Sequence, residues 1–308
     1  MSDFDGVLIT RDRLLNGKSR KTGCGFMDKT DYANQTPDAP YIPPNPFGIK
    51  QTYWERIWRM RLLDDTLMTA ALDNNIEAVQ LILRIILGKD DLNVLSVHTQ
   101  REYKNLYGHS VRLDVEATDS AGKLYNIEVQ RDEHGAEPER ARHNSALMDA
   151  HTLKTGEKAN KLPETYVVFI TEKDFYGRGF PVYHIDRVIA ETGEMFGDRA
   201  HIVYANGAYV GEDDMGRLMA DFRNRNPNEM YFSALANRVR SLKYSEKGVR
   251  DMCRAMEITF EEGRAEGRAE DVRHVMRTLG LSLEKAMDAL EIPLGERRKY
   301  EEMLTRQA

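Results

Sequence analysis

The stretch Arg112-Leu113-Asp114-Val115-Glu116-Ala117-Thr118-Asp119-Ser120-Ala121-Gly122-Lys123-Leu124-Tyr125-Asn126-Ile127-Glu128-Val129-Gln130 decides the fold. Its apolar and polar residues alternate with period two, which predicts two strands joined by a short turn. Val111, Leu113, Val115 and Ala117 are expected on one face, with Arg112, Asp114, Glu116 and Thr118 on the other. After the Asp-Ser-Ala-Gly turn signal, Tyr125, Ile127 and Val129 resume the apolar face, and Asn126, Glu128 and Gln130 the polar one. Opposed positions of an antiparallel pair sum to a constant. Setting Leu113 against Val129 puts Val115 against Ile127 and Ala117 against Tyr125, so the apolar face is consistent. The same register sets Asp114 against Glu128 and Arg112 against Gln130. Opposed side chains sit about 5 Å apart at Cβ, and like charges there are destabilising. A divalent cation converts that cost into coordination, because hard metal ions take carboxylate oxygens.

Working outward, residues 1–50 are polar and rich in turn formers, and five of the ten prolines lie between Pro37 and Pro46. A flexible N-terminal tail is expected there, its Arg11, Arg13, Lys18, Arg20 and Lys21 interspersed with aspartates. Helical periodicity runs over residues 53–72, and a second helix is expected over 76–87, ending at Gly88. Residues 92–97 read as a short strand and 140–153 as a helix. The unbroken run Tyr166-Val167-Val168-Phe169-Ile170 reads as a strand buried on both faces. Further strands are expected at 182–185 and 201–204, and helices at 213–222 and 230–242. This order describes an α/β sandwich over residues 51–245.

From residue 246 the composition changes. The repeat Glu262-Gly263-Arg264-Ala265-Glu266-Gly267-Arg268-Ala269-Glu270 continues an apolar stripe through Met252, Met256, Phe260, Val272, Val275, Met276 and Leu279. One long helix is expected, although each interior glycine costs about 1 kcal/mol against alanine. Small residues every four positions permit close helix approach and homo-oligomerisation; a solvated charged linker helix is the alternative. Ser282 can cap a further helix, and Pro293-Leu294-Gly295 separates a last one. Residues 246–308 thus read as a helical C-terminal extension.

The 308 residues carry a formal charge of -6, so nucleic-acid affinity would need a local basic patch. Two cysteines, Cys24 and Cys253, offer neither a disulfide framework nor a cysteine zinc site. The first fifteen residues lack a signal-peptide core, and the most apolar run, 79–87, is cut by Gln80 and Arg84. The expectation is a cytoplasmic protein with no membrane partner.

An aspartate on one strand, a short hairpin and then acid-x-polar on the next resembles the PD-(D/E)XK nuclease superfamily. More closely, the chain resembles its recombination-promoting nuclease and transposase branch. The strings that carry the likeness are Leu63-Asp64-Asp65-Thr66-Leu67-Met68, Ser110-Val111-Arg112-Leu113-Asp114-Val115 and Tyr125-Asn126-Ile127-Glu128-Val129-Gln130-Arg131. Arg140-Ala141-Arg142, the Tyr166-to-Ile170 strand and the glycine-glutamate-arginine repeat add to it. The resemblance implies a restriction-endonuclease-like sandwich, a mixed central sheet flanked by helices. It implies a Mg²⁺-dependent DNA endonuclease, with Mn²⁺ an alternative metal and DNA the partner. Asp114 and Glu128 would hold the metal with the Val129 carbonyl, and Gln130 takes the place of the usual lysine, orienting water or phosphate without charge. An acid of the first helix would join the metal shell: Asp65 or Asp64 matches the string, with Glu77 a rival. Arg112, Arg140 and Arg142 would meet DNA, although Asn144 stands near where relatives tend to have tyrosine.

Blander readings stand beside these. Asp114 and Glu128 can occupy the solvated face of an amphipathic hairpin, and Asp64 and Asp65 can serve a helix N-terminus through its dipole. His143 and His151 lie eight residues apart, not at the one-turn spacing of helical zinc pairs. The alternative function is a catalytically weak nuclease-fold protein acting as a nucleic-acid- or partner-binding module.

Overall fold

The computed structural model describes residues 42–103, 111–132 and 135–305. Strands β2 (Val111–Asp119) and β3 (Leu124–Gln130) pair antiparallel, Val115 against Ile127 and Ala117 against Tyr125, in the register the alternation predicts. Asp119 builds the turn. Its Oδ1 accepts the N–H groups of Ala121 and Lys123, each at 2.9 Å, its Oδ2 accepts the Tyr125 hydroxyl, and Gly122 takes φ +74°.

Around this hairpin lie β1 (Val94–Tyr103), β4 (Thr165–Thr171), β5 (Val182–Ile185) and β6 (Ala200–Asn206), in the order β1-β2-β3-β4-β6-β5. The β3–β4 and β4–β6 pairs are parallel and the others antiparallel. Helix α4 (Pro138–Thr152) connects the parallel β3 and β4, and all seven residues of β4 are buried, as its continuous apolar run requires. β1 extends six residues beyond the expected strand. It is an edge strand, so polar Gln100, Arg101 and Glu102 can continue it without entering a core.

Two cores flank the sheet. Val115, Ala117, Tyr125, Ile127, Val129, Val168, Ile170, Val203 and Ala205 face the larger one. It is completed by α1 (Gln51–Arg59), α2 (Asp65–Leu72), α3 (Ile76–Leu87), α5 (Asp214–Arg223), α6 (Ser233–Tyr244) and the start of α7 (Glu246–Leu279). Val167, Phe169 and Tyr204 face the smaller one, beneath Ala141, Leu147 and Met148 of α4.

The expected single apolar face of β2 is corrected. Val115 and Ala117 pack in the larger core, but Leu113 and Val111 pack in the smaller one, on the opposite side of the sheet. The inversion falls at Asp114. In the β1–β2 register its partner is Gln100, which has φ +54° and is missing from the ladder. A non-glycine residue in left-handed backbone disrupts the pleat there, and both strands change face together: Tyr103 packs in the smaller core while Val97 stays in the larger.

The helical run expected over 53–72 is also divided. α1 stops at Arg59 because the Lys243 ammonium, fully buried, takes the carbonyls of Met60 (2.6 Å), Arg225 (2.7 Å) and Trp58 (3.3 Å). Asp64 then turns the chain, its Oδ2 accepting the Arg61 N–H at 2.7 Å. Leu62 and Leu63 keep the apolar pattern running through this turn and remain buried.

The last part of the expected tail is packed: Ile42, Phe47 and Ile49 lie against the core, and the Trp54 indole N–H donates to the Pro43 carbonyl at 2.7 Å. Residues 1–41, with the basic tail residues and Cys24, lie outside the described residues. α7 is the single long helix expected. Val249, Met252 and Met256 join the larger core, whereas Ala265, Ala269 and Val272 pack with α8 (Leu283–Ala289) and α9 (Leu294–Thr305). Ser282 caps α8 through the Lys285 N–H. The repeat's alanines face that helical cluster, while Cβ atoms at Gly263 or Gly267 would meet nothing within 4 Å. Among the described residues no helix is long and apolar enough to cross a membrane.

Candidate active site

The β2–β3 ladder stops at Val115/Ile127. One residue further the side chains replace it: the Asp114 N–H donates to Glu128 Oε1 at 3.2 Å, and the Val129 N–H donates to Asp114 Oδ2 at 3.3 Å. The sequence-predicted pair therefore meets, each carboxylate satisfying a backbone donor of the opposite strand. The surroundings are not those of a solvated hairpin face. Glu128 is 0% exposed, and Asp114 is partly buried.

Glu128 has three donors. Oε1 accepts Asn126 Nδ2 at 2.8 Å as well as the Asp114 N–H, and Oε2 accepts Arg140 Nη2 at 2.9 Å. Burial still pushes the Glu128 carboxyl above its ordinary range, against the lowering pull of Asn126, Arg140 and the Asp114 N–H. Asp114 is pushed well above its ordinary value, first by burial, then by the negative charges of Glu128 and Asp65. Two acids that resist ionisation side by side are a site short of positive charge.

The first-helix acids separate by role. Asp65, the first residue of α2, acts electrostatically on Asp114, and its Oδ1 accepts the Thr69 hydroxyl at 3.2 Å. Asp64 instead pairs with Arg131 at 2.6 Å, within a cluster where Glu172 bridges Arg131 (3.0 Å) and Arg61 (2.8 Å). Glu77 lines a separate cleft with Gln80, Arg84 and Phe232.

Gln130 follows Glu128 on the face toward α4 and is partly buried. Its carboxamide lies so close to Gly135 that a Cβ there would come within 2.0 Å of Oε1, so only glycine leaves Gln130 in place. The Val129 side chain packs in the larger core, which leaves only its backbone to face the site. Pro138 opens α4 at its first turn, where a missing N–H costs nothing. Arg140 and Asn144 sit one helical turn apart and both reach β3, whereas Arg142 is exposed. Arg112 is exposed and faces Glu262 of α7 at 3.4 Å.

Sequence reasoning missed a buried polar layer beside the acids. Asn144 Nδ2 donates to Asn126 Oδ1 at 3.2 Å, and both side chains are 0% exposed. Glu116, 3% exposed, accepts from Arg101 and from the Tyr103 hydroxyl. The available signal was spacing on β3, where Asn126 precedes Glu128 by two and so shares its face; on β2 the inversion at Asp114 removes that signal for Glu116.

Among the described residues no group of three or more His, Cys, Asp or Glu side chains is arranged to hold a metal ion. The donor chemistry still fits a hard divalent ion. Mg²⁺ commonly takes only one or two protein carboxylates and fills its shell with water and phosphate oxygens. Here two carboxylates lie together with positive charge only partly supplied, by Arg140.

A mixed six-stranded sheet with helices on both faces, acids meeting at the mouth of its antiparallel hairpin, defines a restriction-endonuclease-like fold. Residues 73–208, from just after α2 through β6, match the family model described as PD-(D/E)XK nuclease family transposase. No curated protein and no solved structure matches the chain.

Proposed function

We propose that this protein is a Mg²⁺-dependent endonuclease that hydrolyses DNA phosphodiester bonds, with Mn²⁺ able to substitute. Asp114 and Glu128 would hold the ion with the Val129 carbonyl, and Asp65, expected in the shell, would bear on it through its charge beside Asp114; cytoplasm is the compartment, consistent with the free thiol of Cys253. The observation that carries the reading is the meeting of the buried Glu128 and partly buried Asp114 carboxylates where the β2–β3 ladder opens. A bound divalent ion supplies Lewis acidity, lowering the pKa of a water and neutralising charge on the phosphate. The protein's own contribution is positional. Glu128 is fixed by three donors, and Asp114 is fixed by the Val129 N–H. Gln130 offers a neutral carboxamide to the attacking water or a phosphate oxygen. Arg140, already beside the acids, is placed to share its remaining N–H groups with a phosphate, and Arg142 and Arg112 extend that positive edge.

One observation favours a second reading, a weakly catalytic binding module. Arg140 already neutralises Glu128, and Gln130 brings no charge. Plasmid nicking in Mg²⁺ separates the two. The endonuclease reading expects cleavage by the parent and its loss in Asp114→Ala and Glu128→Ala with folding intact. An inert parent that still binds DNA supports the module.

A further inference from the structure

Asn126 and Asn144 are buried and uncharged; Asn126 is one of the three donors to Glu128, and Asn144, which does not itself touch Glu128, reaches it only through Asn126. From α4, Asn144 Nδ2 donates to Asn126 Oδ1 at 3.2 Å. From β3, Asn126 Nδ2 donates to Glu128 Oε1 at 2.8 Å, with a longer contact to the Val115 carbonyl at 3.4 Å. A primary amide has one acceptor end and one donor end. Because Asn144 presents an N–H to the acceptor end of Asn126, the donor end must point at Glu128. The reverse amide orientation would set two oxygens against each other at Glu128 and two N–H groups against each other at Asn144.

The arrangement carries a cost that packing does not explain. Asn144 Oδ1 is buried and has no hydrogen-bond partner among the described residues. A buried polar atom left unpaired is uncommon in folded proteins and asks for a reason. An apolar side chain at 144 would fill the same space between α4 and the sheet without that loss.

We infer that Asn144 and Asn126 form a positioning relay that fixes the Glu128 carboxylate, and thereby sets the affinity of the site for a divalent cation. This deepens the proposed function and rests on it. Asn144 locks the Asn126 amide, and Asn126 locks Oε1, so Glu128 keeps one rotamer while Oε2 faces Arg140. Groups that orient a metal ligand without touching the ion typically change metal affinity 10- to 100-fold when removed. Asn126 and Asn144 are positioning residues, not catalytic ones.

The test is Mn²⁺ and Mg²⁺ binding by calorimetry on the full chain without DNA, with melting temperature recorded for every variant. Asn126→Ala is expected to weaken Mn²⁺ binding about 10- to 100-fold. Asn126→Ser removes similar volume but restores a hydroxyl donor, and is expected to recover part of the loss. Asn144→Ala is expected to weaken binding in the parent and to have no further effect in the Asn126→Ala background, because it acts through Asn126. If Asn144→Ala does not fold, Asn144→Ser takes its place in the cycle. Parent-like affinity in Asn126→Ala, equal losses for Ala and Ser at 126, or additive effects of 126 and 144 would each overturn the relay. A parent that binds neither ion, or that binds no better than Asp114→Ala, overturns the metal reading itself and the relay with it.

Discussion

Replacing Asp114 with asparagine should stabilise this protein in the absence of metal while abolishing cleavage. The Asp114 carboxyl is pushed well above its ordinary value by burial and by the charges of Glu128 and Asp65. The folded state therefore binds that proton more tightly than the unfolded chain does. Linkage sets the sign: stability is greatest below the unfolded pKa and falls as pH rises through the window up to the raised folded value. Above that window the full cost of an ionised Asp114 remains. Two unit charges about 5 Å apart at an effective dielectric of 20 repel by about 3 kcal/mol. Arg140 and partial solvent access reduce this, so about 1–2 kcal/mol is the expected gain. Asparagine Oδ1 can still accept the Val129 N–H, so no donor is orphaned. For a domain of this size the gain corresponds to about 2–6 °C in melting temperature. The assay is thermal unfolding in EDTA at pH 8 and at pH 4, then again with Mg²⁺. Asp114→Asn should melt higher than the parent at pH 8, lose most of that advantage at pH 4, and gain less from Mg²⁺. An Asp114→Asn variant that melts at or below the parent at pH 8, or keeps the same advantage at pH 4, would refute the argument.

Three further outcomes follow from the same geometry. Gly135→Ala should fold normally yet lose cleavage much as Gln130→Ala does, since its Cβ displaces only the Gln130 carboxamide; plasmid-nicking rates beside melting curves test this. Lys243→Met orphans the buried carbonyls of Trp58 and Met60, with that of Arg225 partly open to water, and should cost about 1–3 kcal/mol in urea unfolding. Burial pushes the Lys243 ammonium down to about 7, so the parent gains stability as pH rises from there toward the ordinary lysine value, and the loss should be larger at pH 9 than at pH 6.5. Arg131→Ala breaks pairs to Asp64 and Glu172, but Arg131 is 55% exposed, so denaturant midpoints should show under about 1 kcal/mol, shrinking with added salt.

Much of the architecture was legible because it rests on local periodicity. The alternation from Val115 to Ala117 and from Tyr125 to Ile127 set the register, and the Tyr166-to-Ile170 run marked a strand covered on both sides. Ser282 marked a helix start by its own side-chain chemistry. What periodicity could not carry was any feature decided by a distant partner. The pleat inversion at Asp114 depends on left-handed backbone at Gln100, which no glycine announces. The break between α1 and α2 depends on Lys243, some 180 residues on in sequence, entering the core among carbonyls. Within the site, the strand acids could be paired from register, but Asn126 and Asn144 meet only because α4 crosses back over β3. Arg112 was expected at DNA from its place on β2, but the approach of Glu262, 150 residues away, could not be read from the sequence.

The most direct test is to locate a metal. In crystals soaked with Mn²⁺, anomalous scattering should show one site within coordination distance of both Asp114 and Glu128, lost in Asp114→Ala crystals. Manganese bound only elsewhere, or an empty site at saturating Mn²⁺ with both carboxylates still joined to Arg140 and Val129, would contradict a shared cation.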